Sequence, residues 1–92
     1  MIENKTDNWV QYQDKLLATV VEYIENEIKI AERSGEYPTD REIKQTVILC
    51  GDILNSVDLQ DIFLQVIDRL PNSYKYCKYI DIWLNGEKKW NY

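Results

Sequence analysis

The chain of 92 residues contains no histidine. That absence removes the commonest general base, the commonest zinc ligand and the usual switch near neutral pH. Cysteine is scarce as well. Cys50 and Cys77 are too few for a disulfide-stapled secreted framework and form no Cys-x-x-Cys pair, so both read as buried thiols. A nucleophilic Cys77 would have only Lys75 and Lys78 to lower its pKa. The 3 glycines are isolated, and none belongs to a phosphate-cradling Gly-Lys-Ser/Thr loop. Long apolar runs are missing too. The longest is Val47-Ile48-Leu49-Cys50, against the ~20 residues that a membrane-spanning helix needs. Residues 1–7 carry no basic region leading into an apolar stretch, so they do not read as a secretory signal, and a cytoplasmic setting is the default.

What is present is a folded composition: 45% hydrophobic residues, with 16 acidic against 11 basic side chains and a formal charge of -5. A length of 92 residues holds one small domain, residues 1–92, which typically buries a little over ~60% of the surface its unfolded chain exposes. From Trp9 onward Val10, Leu17, Val20, Val21, Ile24, Ile28 and Ala31 recur at three- and four-residue intervals, the period of one helix face. Thr6 or Asp7 is the expected N-cap, and Gly35 and Pro38 the stop. At ~1.5 Å per residue, a helix over residues 7–33 is roughly 40 Å long. A bundle of this size does not cover such a helix along its whole length, so one end is expected to meet a partner or a second copy of the chain.

Thr39-Asp40-Arg41-Glu42 is a capping box that opens a second helix with Ile43, Val47, Cys50 and Leu54 on its buried stripe. Gly51 either sits in that helix where a neighbouring backbone approaches, or breaks it. Asp58 is the expected cap of a third helix with the face Leu59, Ile62, Phe63, Val66, Ile67 and Leu70, ended by Pro71. Asn72 or Ser73 can cap a fourth over residues 73–84, with Tyr76, Cys77, Ile80, Trp83 and Leu84 on one side and Asn85-Gly86 as its stop. The alternative there is a short hairpin, residues 79–84 and 87–90 turning through Asn85-Gly86. The fold expectation is all-α: an irregular antiparallel four-helix bundle with a long first helix, and a tail over residues 86–92. Its expected core is Val10, Leu17, Val21, Ile24, Ile28, Ile43, Val47, Leu54, Ile62, Phe63, Val66, Ile67, Ile80 and Leu84.

Two surfaces are candidates for function. Glu22, Glu25, Glu27, Glu32, Glu36, Asp40 and Glu42 form an acidic stretch through the end of the first helix and the following loop. It is either a plain solvated face or, through Glu22, Glu25, Glu32, Glu36 and Asp40, a surface that docks on a basic site of a protein partner, such as a nucleic-acid enzyme. The last quarter is basic and aromatic. Tyr74, Lys75, Lys78, Tyr79, Lys88, Lys89 and Trp90 can pair phosphates and stack bases, the arrangement of nucleotide and single-strand binders. Those rings can equally be core and chain-end packing.

Duplex DNA is a poor target for an acidic chain, and a helix-turn-helix drawn over residues 42–67 would put Asp58 and Asp61 on its recognition helix. The carboxylate pairs Glu22/Glu25 and Asp58/Asp61 have spacing common on exposed helices, with neither calcium-loop nor Glu-x-x-His signatures. No catalytic residue, metal or cofactor is expected. The sequence points to a small non-enzymatic regulator or inhibitor that occludes a macromolecular partner, with self-association through the first helix as a further prospect. The abundance of Asn, Lys, Ile and Tyr is that of an AT-rich, bacterial or phage, coding sequence.

Overall fold

The computed structural model describes residues 3–86 and 90, with side chains from residue 11 onward. Five helices follow one another: α1 (Glu3–Ser34), α2 (Asp40–Leu49), α3 (Gly51–Leu54), α4 (Val57–Arg69) and α5 (Tyr74–Leu84), and no strand occurs among the described residues. The chain is an all-α bundle. Residues 79–84, open to a hairpin by sequence, lie inside α5.

Each boundary has a local cause. The start of α1 precedes the expected caps, because Glu3, Asn4 and Lys5 offer no helix breaker and Thr6 and Asp7 fall inside the helix. Gly35 ends it at φ 76°, its N–H donating to the Ala31 carbonyl at 2.7 Å, a left-handed close that costs glycine little. The capping box is formed as expected. The Glu42 N–H donates to Thr39 Oγ1 at 3.2 Å, and the Thr39 N–H donates to Glu42 Oε1 at 3.2 Å.

The expected second helix is divided at Cys50, so the described residues form five helices rather than four. The Cys50 N–H is shared between the Thr46 and Val47 carbonyls at 3.2 and 3.0 Å, while its thiol donates back to the Thr46 carbonyl at 3.2 Å. This competition tightens one turn without ending the ladder, since Leu54 N–H still reaches the Cys50 carbonyl at 2.9 Å. Helix α4 starts at Val57 with Ser56 at its N-cap position, two residues ahead of the expected Asp58 cap, which falls in the first turn. Leu70 is extended at ψ 133°, as a residue before proline must be, and Asn72 follows at φ 61°. Ser73 flanks the start of α5 without a side-chain cap bond, its hydroxyl lying 3.8 Å from Cys77 Sγ.

The core sits where α2 packs on α5 and where α1 and α3 pack on α4. Phe63, Ile24, Ile43, Ile53, Ile67, Ile80, Val47 and Cys50 are its largest fully buried side chains. Each large apolar side chain among them contributes about 1.5–3 kcal/mol by leaving water. Ile62, expected in the core, is 50% exposed. The buried line of α4 runs through Leu59, Phe63 and Ile67, and Ile62 stands roughly 100° round the helix from its middle. Leu17, Val21, Val66 and Leu84 are half-buried at the margin rather than central, and the side chain of Val10 lies outside the described residues. In α5 the inward face is Tyr76, Tyr79, Ile80 and Trp83, which turns Cys77 and Leu84 to the edge.

The molecule measures 52 × 29 × 22 Å. Its long axis matches α1, whose 32 residues span ~48 Å. From residue 11 to residue 23 no α1 side chain is fully buried; Ile24, Ile28 and Ala31 are the first that are. The stretch from residue 24 onward is thus anchored in the core, while residues 11–23 only rest against it.

Candidate functional site

Glu22, Glu25 and Glu32 share one outward face of α1, because positions three and seven apart return to the same side of a helix. Lys29 stands among them and pairs with Glu25 at 3.1 Å. Glu32 is occupied as well, accepting from Asn72 Nδ2 at 2.9 Å across the α4–α5 turn. Glu36 and Asp40 are exposed on the α1–α2 connection, where the Glu36 N–H is held by Ser34 Oγ at 3.2 Å and Asp40 opens α2. The structure therefore does not gather the five expected carboxylates into one uniform surface. It ties two into local pairs and concentrates the acidic character at the connection.

There a groove of about 260 Å³ is lined by Glu27, Ile30, Glu36, Tyr37, Pro38 and Glu42. Ile30 is 62% and Tyr37 43% exposed, so the groove presents apolar surface inside a carboxylate rim. Sequence reading had not singled out Ile30 or Tyr37. Ile30 lies 200° round the helix from Ile28, a spacing that already sets it apart from the buried stripe. Glu27 is the inner wall rather than part of the outward face. It accepts from the Tyr76 hydroxyl at 3.0 Å, with Thr46 Oγ1 at 3.4 Å, and joins α1 to α5 and α2. Burial and then the Glu27 charge push the Tyr76 hydroxyl above the ordinary tyrosine range.

The basic aromatic quarter divides in two. Tyr79 is only 8% exposed. Its ring meets Trp90 edge-on at 6.1 Å, and Trp90 meets Trp83 at 5.3 Å. Lys44 of α2, which sequence reading did not connect with this region, places its Nζ 5.5 Å from the Tyr79 ring centre and 5.7 Å from that of Trp90, while Lys78 lies 5.6 Å from Tyr79. These rings close a corner of the core, and cations cover Tyr79. Tyr74, Lys75 and Lys78 remain toward the outside, with Tyr74 well exposed. Lys88 and Lys89 lie outside the described residues.

Among the described residues no three cysteine or carboxylate side chains come together in a metal-binding cluster. Asp58 and Asp61 are exposed on α4. Both cysteines are free thiols; burial pushes Cys50 up to about 12 and raises Cys77 as well, the reverse of what a nucleophile needs. No described helix is long and apolar enough to cross a membrane. Compared with protein-family models, with curated proteins and with solved structures, the chain matches none.

Proposed function

We propose that the chain is a non-enzymatic protein-binding regulator that docks on a basic surface of a macromolecular partner and occludes it. The observation that carries this reading is the groove at the α1–α2 connection, where Ile30 and Tyr37 are exposed between Glu36 and Glu42 with Asp40 alongside. An apolar centre inside a charged rim is the anatomy of a protein interface, and tyrosine is a frequent anchor in one. The carboxylates would steer the encounter with a cationic partner and set its orientation. A second reading, binding of nucleotides or single-stranded nucleic acid, draws on exposed Tyr74 beside Lys75 and Lys78.

Affinity capture of the tagged chain from lysate of its source, with proteins and nucleic acids analysed together at low and moderate salt, separates the two. Stoichiometric recovery of one basic-surfaced protein, lost when Tyr37→Ala replaces the wild type, is the expected result. Recovery of nucleic acid or nucleotide without a protein would move the function to the α5 surface.

A further inference from the structure

Along α1 a second line of residues runs beside the buried one: Tyr12, Leu16, Thr19, Tyr23, Asn26 and Ile30, spaced alternately four and three apart. Alternating steps of four and three are the spacing of a helix that packs against another helix along its length. The buried residues Ile24, Ile28 and Ala31 lie roughly 120° round the helix from this line, which runs along the margin of the bundle: Leu16 packs on the core, and Tyr12 and Leu16 face Asp52, Asn55 and Ser56 across a hollow of about 460 Å³. Tyr12 and Tyr23 are each about half exposed (50% and 49%) and Thr19 is exposed, in the half of α1 that lacks fully buried side chains. Leu49, also largely exposed, flanks the line across a 170 Å³ hollow shared with Thr19, Val20, Tyr23 and Thr46.

We infer that this line is the seat of a second copy of the same chain, its α1 running antiparallel to the first. Two copies of this face are complementary to each other. Lys15 and Glu22 occupy equivalent places one residue before Leu16 and Tyr23, both are exposed, and neither makes an ion pair among the described residues. An antiparallel register that sets Leu16 opposite Thr19 of the second copy also sets Tyr12 opposite Tyr23. It brings Lys15 to Glu22 twice, once in each direction. A parallel pairing gives no such match, because Lys15 then faces Val20. The same antiparallel register overlaps helix Glu3–Ser34 almost end to end, for about 45 Å. A contact of that length reaches the roughly 800 Å² per partner of a stable interface. This surface meets the groove at the α1–α2 connection only at Ile30, and it withdraws Glu22 from any acidic docking face.

The test is sedimentation velocity of the full chain over a range of concentrations, with far-ultraviolet circular dichroism to check that each variant keeps its helix. The wild type is expected to dimerise. Lys15→Glu alone and Glu22→Lys alone each turn two attractions into repulsions and should weaken the dimer roughly thirtyfold. Mixed in equal amounts, the two variants should recover it as a heterodimer, since each then meets its opposite charge. A wild type that stays monomeric to about 1 mM, a dimer indifferent to both reversals, or a mixture that fails to re-form it would each overturn the inference.

Discussion

Removing the Tyr76 hydroxyl tests how the long helix is held to the rest of the bundle. Tyr76 is buried on α5, and its hydroxyl donates to Glu27 on α1 at 3.0 Å, a contact between residues 49 apart in sequence. The other donor near that carboxylate is weaker. Thr46 Oγ1 has one proton and two acceptors, the Glu42 carbonyl at 3.1 Å and Glu27 at 3.4 Å, and the nearer carbonyl has the better claim. Tyr76→Phe would therefore leave Glu27 with solvent and a long hydroxyl contact. A hydrogen bond to a charged acceptor is worth about 1.5–3 kcal/mol when dry. Glu27 is only half-buried, so water recovers part of it and the expected loss is about 1–2 kcal/mol. For a domain of this size, that lowers Tm by roughly 5–12 °C. Urea unfolding followed by circular dichroism measures the loss, and a double-mutant cycle with Glu27→Gln isolates the pair, with a coupling near 1 kcal/mol expected. A Tyr76→Phe protein within ~0.3 kcal/mol of the wild type, or a cycle with no coupling, would refute the claim that this bond anchors α1.

Two further stability predictions concern the turn between α2 and α3. Burial holds the Cys50 thiol protonated in the folded chain up to about 12, from an ordinary value of 9.0, so above pH 9 the unfolded chain binds fewer protons than the folded one. Stability should be full below pH 9 and fall by up to ~1.4 kcal/mol per pH unit above it, joined beyond pH ~10 by a like contribution from Tyr76. Urea titrations at pH 8, 9 and 10 should show a shallower fall for Cys50→Ala; parallel slopes would contradict this. Gly51 has no positive φ, and a Cβ there would meet only the Trp83 ring edge at 3.9 Å. Gly51→Ala should thus stabilise by about 0.4–1 kcal/mol through the unfolded state, and a loss beyond ~1 kcal/mol would mean the turn needs glycine.

Much of the backbone plan was legible because its signals are local. The Thr39–Glu42 capping box, Gly35, and Pro71 with its extended predecessor each fix a boundary within four residues, and each does so in the structure. The break at Cys50 was less legible, since it arises from a thiol and two carbonyls competing for one turn. On α4, Leu59, Ile62, Phe63, Val66 and Ile67 form two overlapping stripes. Only the position of the neighbouring helices decides that Phe63 is central and Ile62 exposed.

The candidate surfaces were legible as composition and less so as geometry. The acidic stretch is where the sequence puts it, yet Lys29 and Asn72 engage two of its members and Tyr76 draws Glu27 inward. The aromatic quarter reads as one patch in sequence. In space a single helix face sends Tyr79 and Trp83 into the core and leaves Tyr74 outside, and Lys44 arrives from a helix about 35 residues away, beyond the reach of any local pattern.

The most direct test of the docking proposal is the affinity of the captured partner for two charge-reversed forms of the chain, both checked for wild-type helix content. Glu36→Lys with Asp40→Lys alters the acidic connection, and Lys75→Glu with Lys78→Glu alters the outer face of α5. The first pair should weaken binding at least tenfold while the second leaves it within about twofold. Loss confined to the α5 pair would contradict the docking proposal and place the binding surface at Tyr74 and its neighbouring lysines.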